Sequence, residues 1–257
     1  MLNITSYYLL GIMARNLILL LTIVCSFKAY TQNIRVVTEY LSPYQIKNQD
    51  GTLGGFSTDV IHALFKMTKD TADITVMPWA RAYEIAQTSK NTLIYSIART
   101  HLREQRFKWV GSLINEQYYF WGLRKRFNKE NYTIAEFKRL SIATSRGSNR
   151  DEYLNNNAFK NIYELVNEKQ QLKMLFEERI DLVIEAELTI SEIAKMQNYH
   201  FNDIIKLNEI NELHADLSIA FNKGSDPELV TQYQQAFQEI IDNGTLQNLK
   251  KKWHIPH

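Results

Sequence analysis

The chain has 257 residues, 45% of them apolar, and a formal net charge of +2, which excludes a disordered chain and allows one large domain or two lobes of about 100 residues each. A charge so close to zero gives no footprint for nucleic acid, and the runs Arg124-Lys125-Arg126 and Lys250-Lys251-Lys252 read as a solvated turn and helix end. Cys25 is the only cysteine, so no internal disulfide can form.

Residues 16–27 are strongly apolar, follow Arg15 and precede a polar stretch ending at Gln32. This is the pattern of a secretory signal, and the run is short for a membrane span of about 20 residues. Met13 offers an alternative start, and residues 7–12 add apolar length that leaves an uncleaved anchor as the other reading. Small residues suited to cleavage occur in Val24-Cys25-Ser26 and Ala29-Tyr30-Thr31, and no small residue precedes Cys25 as in a lipoprotein signal. Loss of residues 1–31 removes Arg15, Lys28 and no acid, so the net charge falls from +2 to zero.

Beyond that segment, strand and helix patterns alternate. Residues 34–38 read as a strand, Asn48 to Gly51 as a turn, and residues 57–69 as an amphipathic helix. Val60, Ile61, Leu64, Phe65 and Met67 form its apolar face, and Ser57 or Thr58 can cap it. Residues 74–77 are the next strand, Pro78 opens a helix running to Gln87, and residues 93–97 return as a strand. That strand leads through Ser96 into Arg99-Thr100-His101-Leu102-Arg103 at a helix start. Two guanidiniums, a hydroxyl and free backbone N–H groups there make an anion-binding arrangement.

In the second half, strands are expected at 140–144, 180–184 and 217–221, with helices following Asn149 and at 167–178, 187–196, 228–241 and 245–253. The alternation implies an α/β sheet with parallel strands, whose ligands bind at strand carboxyl ends, here the loops after Thr38, Met77 and Ile97.

Five stretches in order carry a family resemblance: residues 34–39 with Ser42-Pro43-Tyr44; Gly51-Thr52-Leu53-Gly54-Gly55-Phe56 with Asp59; residues 96–103; Arg179-Ile180-Asp181-Leu182-Val183; and residues 219–224 with Gly244 and Trp253. Together they resemble family 3 of the bacterial extracellular solute-binding proteins, the polar amino-acid receptor type. Pro78-Trp79-Ala80-Arg81 and Ser96-Ile97-Ala98-Arg99 resemble a less characterised branch.

The resemblance implies the type II periplasmic-binding fold, two α/β lobes joined by a two-stranded hinge. Lobe 1 is expected at 33–119 plus 217–257, lobe 2 at 124–213, with crossings at 119–123 and 214–217. The implied role is a monomeric periplasmic receptor that captures a small anionic or zwitterionic solute, foremost an amino acid, for a membrane permease of the ABC type. A solute sensor that docks to a membrane kinase or chemoreceptor, and a periplasmic enzyme such as a dehydratase, are the alternatives.

The implied site takes Arg103 as the carboxylate clamp, since its planar fork suits bidentate pairing. Ser96 and Ala98 lie on the same strand end. Trp79 matches a stacking wall, with core packing as the other reading, and Tyr40 is a candidate for the opposite wall. Arg81 points toward the cleft or to solvent. Arg99 reads a second anionic group or pairs with Glu39 or Glu185. Gly147, Ser148 and Asn149 form a loop-to-helix turn that offers backbone donors. Where the receptors place an ammonium-binding aspartate this chain has Ala186, flanked by Glu185 and Glu187, and strand alternation turns Glu185 to the other face.

The six histidines have no metal-ligand spacing, and no zincin, nucleophile-elbow, P-loop or dinucleotide motif is present. Glu39, Glu185 and His101 are the only acid/base candidates for an enzyme. The reading therefore assigns no catalytic residue, no metal and no cofactor.

Overall fold

A computed structural model describes residues 34–167 and 169–256. The expected signal segment, with Cys25, Met13 and the cleavage sites, lies outside the described residues, as does His257. Among the described residues no helix is long and apolar enough to cross a membrane, and no cluster of His, Cys, Asp and Glu could hold a metal ion.

The chain begins with β1 (Arg35–Thr38), the short hairpin β2 (Ile46–Lys47) and β3 (Leu53–Gly54), α1 (Phe56–Thr68), β4 (Ile74–Val76) and α2 (Trp79–Thr88). β5 (Thr92–Ala98), α3 (His101–Glu104) and β6 (Phe107–Glu116) complete the first pass through lobe 1. Lobe 2 contains β7 (Tyr118–Leu123), α4 (Ile134–Phe137), β8 (Ile142–Ser145), α5 (Asn149–Asn156), β9 (Ile162–Leu165), α6 (Lys169–Phe176), β10 (Leu182–Ala186), α7 (Glu187–Met196) and β11 (Ile204–Glu209). The chain then returns to lobe 1 as β12 (Ala215–Asn222), α8 (Pro227–Asp242) and α9 (Thr245–Lys252).

Each lobe is a five-stranded sheet, β4-β1-β5-β12-β6 in the first and β11-β7-β10-β8-β9 in the second. The sheets are mixed, which corrects the expectation of parallel strands. β1 runs parallel to β4 and β5, but β12 is antiparallel to β5 and β6, and β7 is antiparallel to β10 and β11. The reason is the double crossing: β6 leaves toward lobe 2 and β12 comes back from it, so the two run in opposite directions.

Pairing passes from the first sheet to the second between Glu116 and Tyr118, ahead of the expected 119–123, because Tyr118 to Trp121 pairs with β10. The crossings lie side by side, with Ala215 paired to Glu116 and the Ile210 N–H donating to the Tyr118 carbonyl at 2.9 Å.

Apolar clusters cover both faces of each sheet. This is why β5, with all seven residues buried, reads as a continuous apolar run and not an alternating one. α1 starts earlier than expected. Its cap is Gly55, at φ 108, where a Cβ would sit 2.4 Å from the Tyr44 carbonyl oxygen, so only glycine fits. Ser57 and Thr58 are buried inside the first turn and do not cap it; they bond to Ser96 and Tyr95 instead.

Candidate functional site

Arg103 is the centre of the site. α3 is a single turn after β5, and it carries the Arg103 side chain inward until only 1% of the residue is exposed. A guanidinium cannot be desolvated to that degree without partners. One comes from its own lobe, the Ala98 carbonyl at 3.4 Å, and two come from lobe 2, Glu152 at 2.9 Å and the Gly147 carbonyl at 3.3 Å. The guanidinium also lies over the rings of Tyr83 (4.8 Å) and Trp79 (5.5 Å).

Trp79 takes the core-packing place of its two expected readings, at the border of the interlobe space. It stacks on Tyr83 within the apolar cluster of lobe 1, and its indole N–H donates to the same Gly147 carbonyl at 2.8 Å. Gly147 has φ 70, which turns its carbonyl into a shared acceptor for two lobe 1 donors. Its N–H donates to Asp151 at 2.8 Å, while Ser148 caps α5 by accepting from the Asp151 N–H. Burial raises the Asp151 carboxyl above its usual range, against the lowering effect of the Gly147 N–H.

Between the lobes these residues enclose a cavity of about 20 Å³, bordered by Glu39, Trp79, Ser96, Ala98, Arg103 and, from lobe 2, Ser148 and Asn149. Leu41, Tyr118, Arg150 and Leu217 also border it. Two buried donors here, Arg103 Nε and Asn149 Nδ2, have no hydrogen-bond partner among the described residues. The chemistry is that of a site short of acceptors, suited to a carboxylate or carbonyl oxygen.

Ser96 reaches the cavity through a device that sequence patterning cannot see. It is the extra residue of a bulge opposite Ser218 and Ile219, at φ 55, and its hydroxyl donates to Ser57 at 2.9 Å.

Other expected residues fall elsewhere. Arg99 pairs with Glu104, not Glu39 or Glu185, and stacks over Trp109 with 45% of its side chain exposed, because the turn at Thr100 sends it outward. Arg81 is on the exposed face of α2. Tyr40 borders a second, larger cavity of about 420 Å³ instead of facing Trp79. Glu185 is buried but faces Arg150 at 3.5 Å and accepts from the Ala186 N–H, and Glu187 is exposed and bonded to Lys206. Glu39 is thus the carboxylate that borders both cavities.

Sequence reading missed Arg150, Glu152 and the hinge cluster beside them. Buried Glu116 accepts from Tyr44 at 2.7 Å and from Tyr118 at 2.5 Å, joining the two lobes at the crossing. Burial, reinforced by Glu116, pushes both phenols well above their ordinary range, so they stay protonated donors. Glu152 is 49 residues from Arg103, and no local pattern announces such a pair.

The fold is shared with solved structures. The chain is similar to a histidine kinase sensor domain with similarity to periplasmic binding proteins: 15% identity over 86% of this chain and 96% of that one, TM-score 0.77. It is also similar to an ancestral arginine-binding protein bound to arginine, with 17% identity, 87% and 99% coverage and TM-score 0.75. A third is the GluR0 ligand-binding core from Nostoc punctiforme in complex with L-glutamate, with 20% identity, 87% and 100% coverage and TM-score 0.74. Two α/β lobes with a double crossing and an interlobe cavity define a type II periplasmic-binding fold. No curated protein matches the chain in sequence. Its residues 34–256 match the bacterial extracellular solute-binding proteins, family 3, and the chain belongs to that family.

Proposed function

We propose that the protein is a periplasmic receptor that closes its two lobes on a small anionic or zwitterionic solute, an amino acid first among them, and delivers it to an ABC-type importer. The observation that carries this reading is Arg103: a desolvated guanidinium on lobe 1 whose lobe 2 partners are a carbonyl and a carboxylate. A solute carboxylate entering an opened cleft replaces Glu152 on that guanidinium, and Asn149 and Ser148 border the same space. Glu39, the carboxylate that borders the same space, takes the ammonium of a zwitterion. Residues 1–31 serve as the export signal. Family membership supports capture, and the named arginine- and glutamate-bound relatives support an amino acid as ligand.

Sensing is the second reading, favoured by the likeness to a histidine kinase sensor domain. Binding physics is the same in both, and only the docking partner differs. A thermal-shift screen of the purified protein against amino acids, small carboxylates and polyamines tests the proposal, because a ligand bound only by the native state raises the melting temperature by mass action. A saturable rise with an amino acid or carboxylate is the expected result, and a rise with polyamines alone contradicts it.

A further inference from the structure

The cavity at Arg103 and the second, larger one share a wall residue. Glu39 borders both, and the boundary falls between neighbours in sequence, Tyr40 against Leu41 and Pro78 against Trp79. The larger space measures about 420 Å³, within the range of pockets that hold whole organic ligands and far beyond what a free amino acid's side chain fills. Its walls come from both lobes: Ile46, Val76 and Met77 from lobe 1, Val166, Ile193 and Met196 from lobe 2.

Val166, Met196 and Tyr40 on this border are among the few large apolar residues of the described chain left exposed. A second observation lies in the same wall. Gln45 is 1% exposed, and both its amide oxygen and its amide nitrogen lack a hydrogen-bond partner among the described residues. A buried amide with donor and acceptor both unsatisfied is costly, and its natural complement is another amide, which offers one of each.

We infer that the solute is an acid larger than a free amino acid, carrying an apolar body and one amide: an N-acylated or peptide-like carboxylate whose head meets Arg103 and whose body occupies the second cavity beside Gln45. This inference rests on the carboxylate reading of Arg103.

Calorimetric titration of the protein with N-acetylglycine, N-acetylphenylalanine, 3-phenylpropionate and free phenylalanine tests it. The expected result is affinity for N-acetylphenylalanine at least about tenfold above N-acetylglycine, from burial of the ring, and several-fold above 3-phenylpropionate, from the amide. Met196→Glu, at an exposed position that folding tolerates, brings N-acetylphenylalanine down toward N-acetylglycine. Gln45→Leu brings it down to 3-phenylpropionate. Equal binding of the two acetylated acids, or binding of free phenylalanine with both of them rejected, overturns the inference and leaves the Arg103 reading intact. Binding of none of the four, with a saturable thermal shift from another amino acid or carboxylate, overturns the inference alone, and absence of any such shift overturns both.

Discussion

Where Trp79 and Arg103 meet lobe 2, the two lobes contribute opposite chemistry. Lobe 1 supplies donors on side chains, the Trp79 indole and the Arg103 guanidinium, each fixed by ring stacking within its own lobe. Lobe 2 supplies acceptors, the Gly147 carbonyl and the Glu152 carboxylate. The difference teaches where specificity resides. A rigid guanidinium backed by aromatic rings is a fixed anion receptor, whereas Glu152 retains 28% side-chain exposure and is the partner that can be exchanged. In this arrangement Glu152 already occupies the Arg103 guanidinium, so under the proposed function a solute carboxylate binds by exchange with it.

The contrast can be tested by breaking each lobe separately. The largest effect is expected for Trp79→Ala, which removes a buried indole from the lobe 1 cluster; loss of about 3–5 kcal/mol in denaturant unfolding is the outcome. Trp79→Phe keeps the stack and sacrifices only the bond to Gly147, so it costs about 1 kcal/mol and loosens closure more than folding.

Next come two glycines that let an aromatic ring approach a strand. A Cβ at Gly111 in β6 would lie 2.2 Å from the Phe237 ring in lobe 1, and one at Gly122 in β7 would lie 2.2 Å from the Phe127 ring in lobe 2. Gly111→Ala and Gly122→Ala are each expected to destabilise by about 1–3 kcal/mol through overpacking. Hydrogen exchange should place the weakened amides in the substituted lobe alone, and spread across both lobes would show that they unfold as one unit.

The smallest effect is expected for Glu152→Gln. It weakens the internal competitor for Arg103, so carboxylate solutes bind several-fold more tightly, about 1 kcal/mol, while the free protein expands in small-angle scattering as the lobes part. Weaker solute binding in this variant would mean that Glu152 holds the solute and does not compete with it.

Much of lobe 1 can be read from sequence because its site residues sit at strand ends beside strong local signals. Pro78 before Trp79 and the apolar run of β5 before Arg103 locate both side chains. α7 falls on residues 187–196 as its apolar spacing requires, and α8 follows the Asp226-Pro227 start. β6, β7, β9 and β11 were not legible. β9 and β11 are half-exposed edges of the second sheet, and β6 and β7 take their shape from pairing with strands distant in sequence, a non-local cause.

The same reason hides the Arg103–Glu152 and Arg150–Glu185 pairs, 49 and 35 residues apart in sequence. Arg99 and Arg103 look alike in sequence, yet a turn at Thr100 sends one to solvent and the other to the core. Only backbone geometry separates them.

The most direct measurement is a calorimetric titration of wild type, Arg103→Lys and Arg103→Ala with the solute that gives the largest thermal shift. Arg103→Ala is expected to lose about 2–5 kcal/mol of binding, because a desolvated charge-assisted pair is removed. Arg103→Lys should recover only part of it, because an ammonium cannot present the planar fork. Affinity within about threefold of wild type in Arg103→Ala, in a variant that remains folded, would contradict the account.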